Sequence, residues 1–480
     1  MRFFCGLLLS VFMYAQVPAA APIGSYKSLR YPPLRQVKIP EPITFTLANG
    51  MRVFLLEDHE LPLVSGSALI RTGNLFDPPA QRGLSQVMAE VMRSGGTKTR
   101  TGDQLDEQLE NIAASVESGM GETNSSVSFS GLKETADTVL GLFKEVLTDP
   151  EFRQDKIDLT LAQMHSSIDR RNDDAQGIAE REFSSLVYGR DTSYGWSIEH
   201  EHLARINRAS LQEFYHRYYF PKNTILSVYG DFSASEMRSK LESLFKDWTV
   251  EQPPVPAFPP LTAKAVPGVF LAEKQDVTQT FFVLGHLGGT LRDPDYPALQ
   301  VASNILGSGF SSRLMSEIRT KRGLAYSIGA GWGAQYDHAG SFRIAGSTKS
   351  ASTTDAIVAA RAELEKMRTA EVTEQELQTA KDGVLNSFVF YFDSPAKTLG
   401  RIVTYEYYGY PRSFLFDYQK QVAAVTRADV LRAMKQHFNP ANLTIVAAGN
   451  PAEFGRPLSE AAATQAGKIE KIDLSIPKAP

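Results

Sequence analysis

Residues 214–231 read FYHRYYFPKNTILSVYGD. The stretch is the end of a helix followed by a strand: Pro221 cannot continue the helix that Ser210–Tyr219 forms, and the β-branched run from Thr224 to Tyr229 extends until Gly230-Asp231 stops it. Arg208-Ala209-Ser210 opens the unit. The same unit recurs further on. Arg427-Ala428-Asp429 opens a helix that ends at Phe438-Asn439-Pro440-Ala441-Asn442, and a strand then runs to Gly449-Asn450. Arg208 to Pro221 and Arg427 to Pro440 both span 13 positions, and Pro221 to Gly230 and Pro440 to Gly449 both span 9. Asp77 and Asp293, each in a proline-containing loop ahead of an apolar helix, stand at nearly the same offset. A repeat of this length implies two tandem domains of one fold, not a solenoid of short units.

The remaining elements give the class. Asn49-Gly50 between Phe45–Leu47 and Met51–Leu56 marks a hairpin, and Val64–Arg71 and Ser125–Ser130 alternate as strands. In Gly83–Thr97, GLSQVMAEVMRSGGT, the residues Leu84, Val87, Met88, Val91 and Met92 form one apolar helical stripe. Thr101 caps a second helix with Leu105, Leu109, Ile112 and Val116 inward, and Glu134–Leu147 and Gln154–Arg171 are helical. Helices mixed with antiparallel strands give an α+β fold, each domain an antiparallel-rich sheet packed against helices. Six prolines between Val250 and Gly268 make a stiff connector. The expected organisation is a signal peptide at 1–19, an extended lead-in at 20–42 that packs over the first domain, domains at 43–249 and 268–452 joined by a linker at 250–267, and a tail at 453–480.

Composition narrows the function. A net charge of −4 argues against a nucleic-acid binder, and 42% hydrophobic residues in 480 suffice for more than one core. Arg2, the apolar run Phe3–Ala15 and Val17-Pro18-Ala19 have the three regions of a secretory signal cut after Ala19. The run is shorter than the ~20 residues a membrane span needs, so no stable membrane insertion is expected. Cys5 lies within the signal, and the mature chain would carry no disulfide. The expected location is outside the cytoplasm, in the periplasm of a Gram-negative cell.

The stretch from Ser193-Tyr194-Gly195 to Asp231, and SSRLMSEIRTKRGLAYSIGA from Ser311 to Ala330, carry a family resemblance. Over roughly Ile43 to Pro451 the chain resembles the zinc peptidases typified by pitrilysin, insulin-degrading enzyme and mitochondrial processing peptidase, above all the bacterial members built from two separate two-domain subunits. Active members carry H-x-x-E-H on a helix: two imidazoles one turn apart hold zinc, and a glutamate takes the proton of the metal-bound water. The resemblance places Gln86, Ala89 and Glu90 at those positions and the third ligand near Ser167. An amide and a hydroxyl are poor zinc ligands, and alanine is no base. A site improvised from Glu90 and His165 would still lack the base. No metal is therefore expected in this chain, and zinc is expected in a partner subunit.

In the two-subunit enzymes an arginine and a tyrosine from the zinc-free subunit reach the partner's active site, and the resemblance places them at Arg319 and Tyr326. By spacing alone the pair is nearly uninformative, and a surface arginine paired with a nearby acid such as Glu317, with a tyrosine half-buried in a sheet, is the reading to prefer; the family context favours the functional one. A guanidinium and a phenol are nonetheless suitable donors to a substrate carbonyl or developing oxyanion. Two functional readings follow. In one, the chain is the zinc-free, substrate-binding subunit of a heterodimeric metalloendopeptidase, inactive alone, whose partners are a homologous zinc-bearing subunit and a peptide or unfolded protein. In the other, it is an inactive peptide-binding or assembly scaffold. His200-Glu201-His202 reads as a solvated turn, Gly307–Ser312 as a mobile loop with a serine N-cap and not a P-loop, and His286 and His437 as ordinary packed or surface histidines.

Overall fold

A computed structural model describes residues 40–264, 266–462 and 468–478. The signal peptide, Cys5 and most of the lead-in lie outside the described residues. The first half runs β1 Ile43–Thr46, β2 Arg52–Glu57, β3 Leu63–Ile70, α1 Leu84–Ser94, α2 Gly102–Asn111, β4 Ser115–Met120 and β5 Ser125–Leu132. It continues through α3 Ala136–Thr148, α4 Gln154–Asp169, α5 Ala175–Tyr188, α6 His200–Leu203, α7 Arg208–Tyr218, β6 Thr224–Gly230 and α8 Ala234–Leu244. The second half begins β7 Gly268–Glu273, β8 Gln279–Leu287, β9 Gly289–Thr290, α9 Tyr296–Gly307, β10 Ser327–Trp332, β11 Ala334–Gln335 and β12 Ser341–Lys349. Then come α10 Thr353–Thr369, α11 Glu374–Asn386, α12 Pro395–Tyr408, α13 Phe414–Ala424, α14 Arg427–His437, β13 Thr444–Gly449 and β14 Ile469–Lys471.

Two six-stranded sheets carry the fold, in the orders β4-β5-β3-β6-β2-β1 and β10-β12-β8-β13-β7-β14. The repeated strands β6 and β13 take the same inner position: each is antiparallel to one neighbour, β3 or β8, and parallel to the other, β2 or β7. The duplication visible in the sequence is therefore a duplication of topology. The sheets differ at one edge. Hairpin strand β1 pairs antiparallel to β2, whereas the second edge is filled by β14, arriving from the far C-terminus and parallel to β7. The expected tail beyond 452 thus contributes a strand to the second sheet.

The halves are not separate packing units. Ala175, Ile178, Phe183 and Val187 on α5 pack against Phe270, Val283 and Val446 of the second sheet. Reciprocally, Leu399, Ile402 and Val403 on α12 pack against Phe54 and Leu56 of the first. Each sheet so has its own helices on one face and a helix lent by the other half on the opposite face, which removes apolar surface from water on both sides. One expected helical position is corrected: Val116 lies in β4, because the chain turns through a left-handed residue at Ala113 (φ 49) and leaves the helix before reaching it. Among the described residues no helix is long and apolar enough to cross a membrane.

Candidate functional site

Helix α1 starts at Gly83, whose φ of 93 suits glycine, and the Asp77 carboxylate accepts the backbone N–H groups of Gly83 (2.8 Å) and Ser85 (2.9 Å). Burial pushes the Asp77 carboxyl up to about 6 against the pull of these bonds. The expected stripe Leu84, Val87, Met88, Val91 and Met92 is buried in the core. Gln86 and Glu90 are exposed one turn apart. Ala89, between them in sequence, is buried, and its carbonyl accepts the Ser118 hydroxyl from the sheet-edge strand β4. Helix α4 packs beside α1. On it Ser167 is exposed and donates its hydroxyl to the Gln163 carbonyl at 3.0 Å.

The residues at these positions do not fit zinc. They offer an amide, a carboxylate and a hydroxyl already bonded to its own helix, with no imidazole on α1 and no side chain able to act as a base at position 89. His165 does not supply the missing ligand to Glu90. It faces α6 instead, its Nδ1 2.6 Å from His200 Nδ1 and its ring stacked on that of His200, whose Nε2 lies 3.1 Å from Asp169 Oδ1. Desolvation and the neighbouring His200 lower the His165 pKa.

The segment His200-Glu201-His202 is not a solvated turn. It forms the short helix α6, with both histidines buried and His202 Nδ1 accepting the Glu199 N–H at 2.9 Å, so that ring caps the helix. One cluster of possible metal ligands does occur among the described residues: Asp293, Asp295 and His437. Asp295 already binds Arg432 through two bonds (2.9 and 2.6 Å) and His437 Nε2 at 2.9 Å, which explains the group as an ion-pair network at the start of α9.

Arg319 sits in a π-helical stretch, Met315–Lys321, anchored by buried Leu314 and Ile318. Glu317 is not its partner. That carboxylate takes Lys321 (3.0 Å) and Arg322 (3.0 and 2.9 Å), while the Arg319 guanidinium lies 5.7 Å from the centre of the Phe310 ring. The chain then turns at Gly323 (φ 62), and the Tyr326 N–H donates to the Ser347 carbonyl at 2.9 Å, leading into β10. Tyr326 is 77% exposed and Phe310 81%, so the tyrosine is not half-buried in the sheet. The aromatic support of Arg319 went unread in the sequence, where Phe310 shows only as one ring in a glycine- and serine-rich loop. That loop has no serine cap: Ser312 is buried and its hydroxyl has no partner.

Two family models match. The one described as Insulinase (Peptidase family M16) covers residues 52–198, and the one described as Peptidase M16 inactive domain covers 205–384. The second begins within the first half, so it takes in α7, β6 and α8 as well as most of the second sheet. The chain is 22% identical over 462 residues to the non-peptidase homolog YmxG of Helicobacter pylori, covering 94% of this chain and 98% of that protein. It is 24% identical over 443 residues to the zinc protease PqqE of the same organism, covering 86% and 93%. A solved structure, the peptidase M16 inactive domain from Pseudomonas fluorescens, superposes with a TM-score of 0.76 at 25% identity, covering 86% of this chain and 98% of its own.

Proposed function

Because this chain belongs to peptidase family M16, the insulinase family, and its α1 and α4 lack a zinc donor set, we propose that it is the zinc-free, substrate-binding subunit of a two-subunit metalloendopeptidase. A homologous zinc-bearing subunit supplies the metal and the base. This chain closes the chamber around a peptide or unfolded protein and presents Arg319 and Tyr326 to the scissile bond. The two donors polarise the carbonyl and hold the oxyanion as charge develops there, on the side opposite the partner's metal. Residues 1–19 direct the protein out of the cytoplasm, to the periplasm of a Gram-negative cell.

The observation that carries this reading is the contrast between the two places. The zinc positions are filled by residues unable to do the chemistry, while Arg319 pairs with no carboxylate among the described residues and Tyr326 stands in solvent. Helicobacter pylori offers support by analogy, since a non-peptidase homolog and a zinc protease of that one organism both resemble this chain. The test is to purify the chain with its H-x-x-E-H homologue and follow a quenched peptide. Activity should appear only in the mixture and fall with Arg319→Ala or Tyr326→Phe. Full activity in both variants removes their role and leaves the scaffold reading; hydrolysis and tight zinc binding by this chain alone would overturn the assignment altogether.

A further inference from the structure

A second site lies away from Arg319, where α12 meets α13. A cavity of about 360 Å³ opens there, bounded at one end by Pro40 and Glu41. One wall is apolar. Phe392 and Phe416 stack nearly parallel, 5.8 Å apart at 8°, and Ile402 and Leu415 complete the wall. The other wall carries two guanidiniums, Arg401 and Arg412, and the Tyr405 hydroxyl.

The charges on that wall are not balanced from within. Arg401 lies 4.4 Å from the centre of the Tyr391 ring, and its Nε–H is buried with no acceptor. No carboxylate among the described residues forms an ion pair with it. Arg412 has one, Glu41, at 3.4 Å, and the Glu41 side chain is 88% exposed. A cation with a buried, unpaired donor at the edge of an apolar cavity is costly unless an anion completes it. Burial raises the Tyr405 phenol above its usual range while a hydrogen bond with Arg401 pulls the other way, so the phenol stays neutral. Besides Glu41, the charged groups that line the cavity are both guanidiniums.

We propose that this cavity binds an apolar carboxylate: an aryl or alkyl body against Phe392, Ile402 and Phe416, and a terminal carboxylate on Arg401 and Arg412. The forked guanidinium of Arg401 suits a carboxylate held through two parallel bonds, and the cavity has the size of a small ligand site. Two sources share this chemistry, a free organic acid and the C-terminus of a peptide ending in an apolar residue. The proposal does not depend on any role for Arg319 or Tyr326, and the isolated chain suffices to test it.

The test is calorimetric titration of the purified chain with 4-phenylbutyrate, with the tripeptide Ala-Ala-Phe as its free acid, and with the same tripeptide as its C-terminal amide. One-site saturation by an acid and not by the amide is expected. Tighter binding of phenylbutyrate assigns the site to free acids, and tighter binding of the tripeptide acid assigns it to peptide termini. Arg401→Gln should weaken the preferred acid about tenfold or more, and half-exposed Arg412→Gln by a few-fold. If Arg401→Gln does not fold, Arg401→Lys takes its place; it keeps the charge but loses the fork, and should still lose affinity. Equal binding of the amide, unchanged affinity in a folded Arg401 variant, or no saturation by either acid would overturn the proposal.

Discussion

Helices α1 and α9 hold equivalent places in the two halves, each packed on the outer strand of its sheet, β4 or β10, and each starting beside an aspartate. The two carboxylates have opposite electrostatics. Asp77 is buried and held by Gly83 and Ser85, and desolvation raises its pKa to about 6. Asp295 is held by Arg432 and His437, and its pKa is lowered chiefly by the bond to Arg432. Each helix thus begins near an acid whose chemistry is set by its neighbours and not by its place ahead of the helix. The exchanged helices repeat the lesson. The cleft beneath α12 is about 340 Å³ and lined by Ser65, Ser67, Ser128, Ser130 and Ser227, whereas that beneath α5 is about 110 Å³ and lined in part by Phe281, Phe282 and Val283. One lent helix sits over a roomier, serine-rich cleft and the other over a smaller one.

The largest expected effect tests that difference. Phe183 on α5 and Leu399 on α12 are both buried, at 2% and 1% exposure. Phe183→Ala should destabilise by about 3–5 kcal/mol, and Leu399→Ala by about 2–3 kcal/mol, near the low end of the range for leucine because the roomy serine-lined cleft lets water reach the new space. Urea unfolding of the two variants measures both. A cost for Leu399→Ala equal to or above that for Phe183→Ala would show that the roomier cleft does not soften the α12 contact.

Next comes the division of labour between the halves. In the mixed-subunit assay Arg319→Ala should lower peptide hydrolysis by about 10²–10³-fold, the loss typical of one oxyanion donor. Gln86→Ala, at an exposed position on α1, should change it less than twofold, and both variants should unfold within about 0.5 kcal/mol of the parent. A Gln86 variant as damaging as the Arg319 variant would return the active surface to the first half and undo the contrast.

What the sequence discloses and what it hides follow from the range of the interactions. The helix–strand unit around Pro221 and its copy around Pro440 were legible because proline and glycine act on their own backbone, and the structure places both strands in the same sheet position. The stripe of α1 was legible as well, since periodicity reports that a face is buried. Periodicity does not report against what. The apolar faces of α5 and α12 read like those of any helix, and nothing local says that each crosses to the other sheet. His200 was misread for the same reason: its partner His165 is 35 residues away, and a four-residue helix has no period to detect. At the candidate site the positions of Arg319 and Tyr326 came from family resemblance. The Phe310 ring beside Arg319, and the diversion of Glu317 to Lys321 and Arg322, needed coordinates.

The two aspartates give opposite pH dependences. For Asp77 the folded-state pKa lies above the ordinary value of 3.8, so its contribution to stability is fully present below 3.8 and is lost as pH rises towards 6. About two units correspond to at most about 3 kcal/mol. Asp77→Asn keeps a carbonyl oxygen for one N–H of α1 and has no charge to desolvate, so relative to the parent its stability measured by urea unfolding should rise between pH 4 and 7 as the Asp77 contribution is lost from the parent alone. A parallel decline in both would place the titrating group elsewhere.

The smallest expected effect belongs to Asp295, and it has the opposite sign. Its folded-state pKa lies below the ordinary value, so its stabilisation is present above 3.8 and is lost as pH falls further. Arg432 is 52% exposed, and solvent screening limits the pair to about 1 kcal/mol despite its two bonds. Arg432→Ala should therefore cost about that much at pH 7 and nearly nothing at pH 3, where Asp295 is losing its charge in the variant. The His437 imidazole remains at 2.9 Å as the other side-chain partner of Asp295 among the described residues, so the cost at pH 7 should grow when His437→Gln is added, beyond the sum of the two single changes. Simple additivity would mean that the imidazole does not compensate for the lost guanidinium, and that the first turn of α9 tolerates a bare carboxylate much as α1 tolerates Asp77.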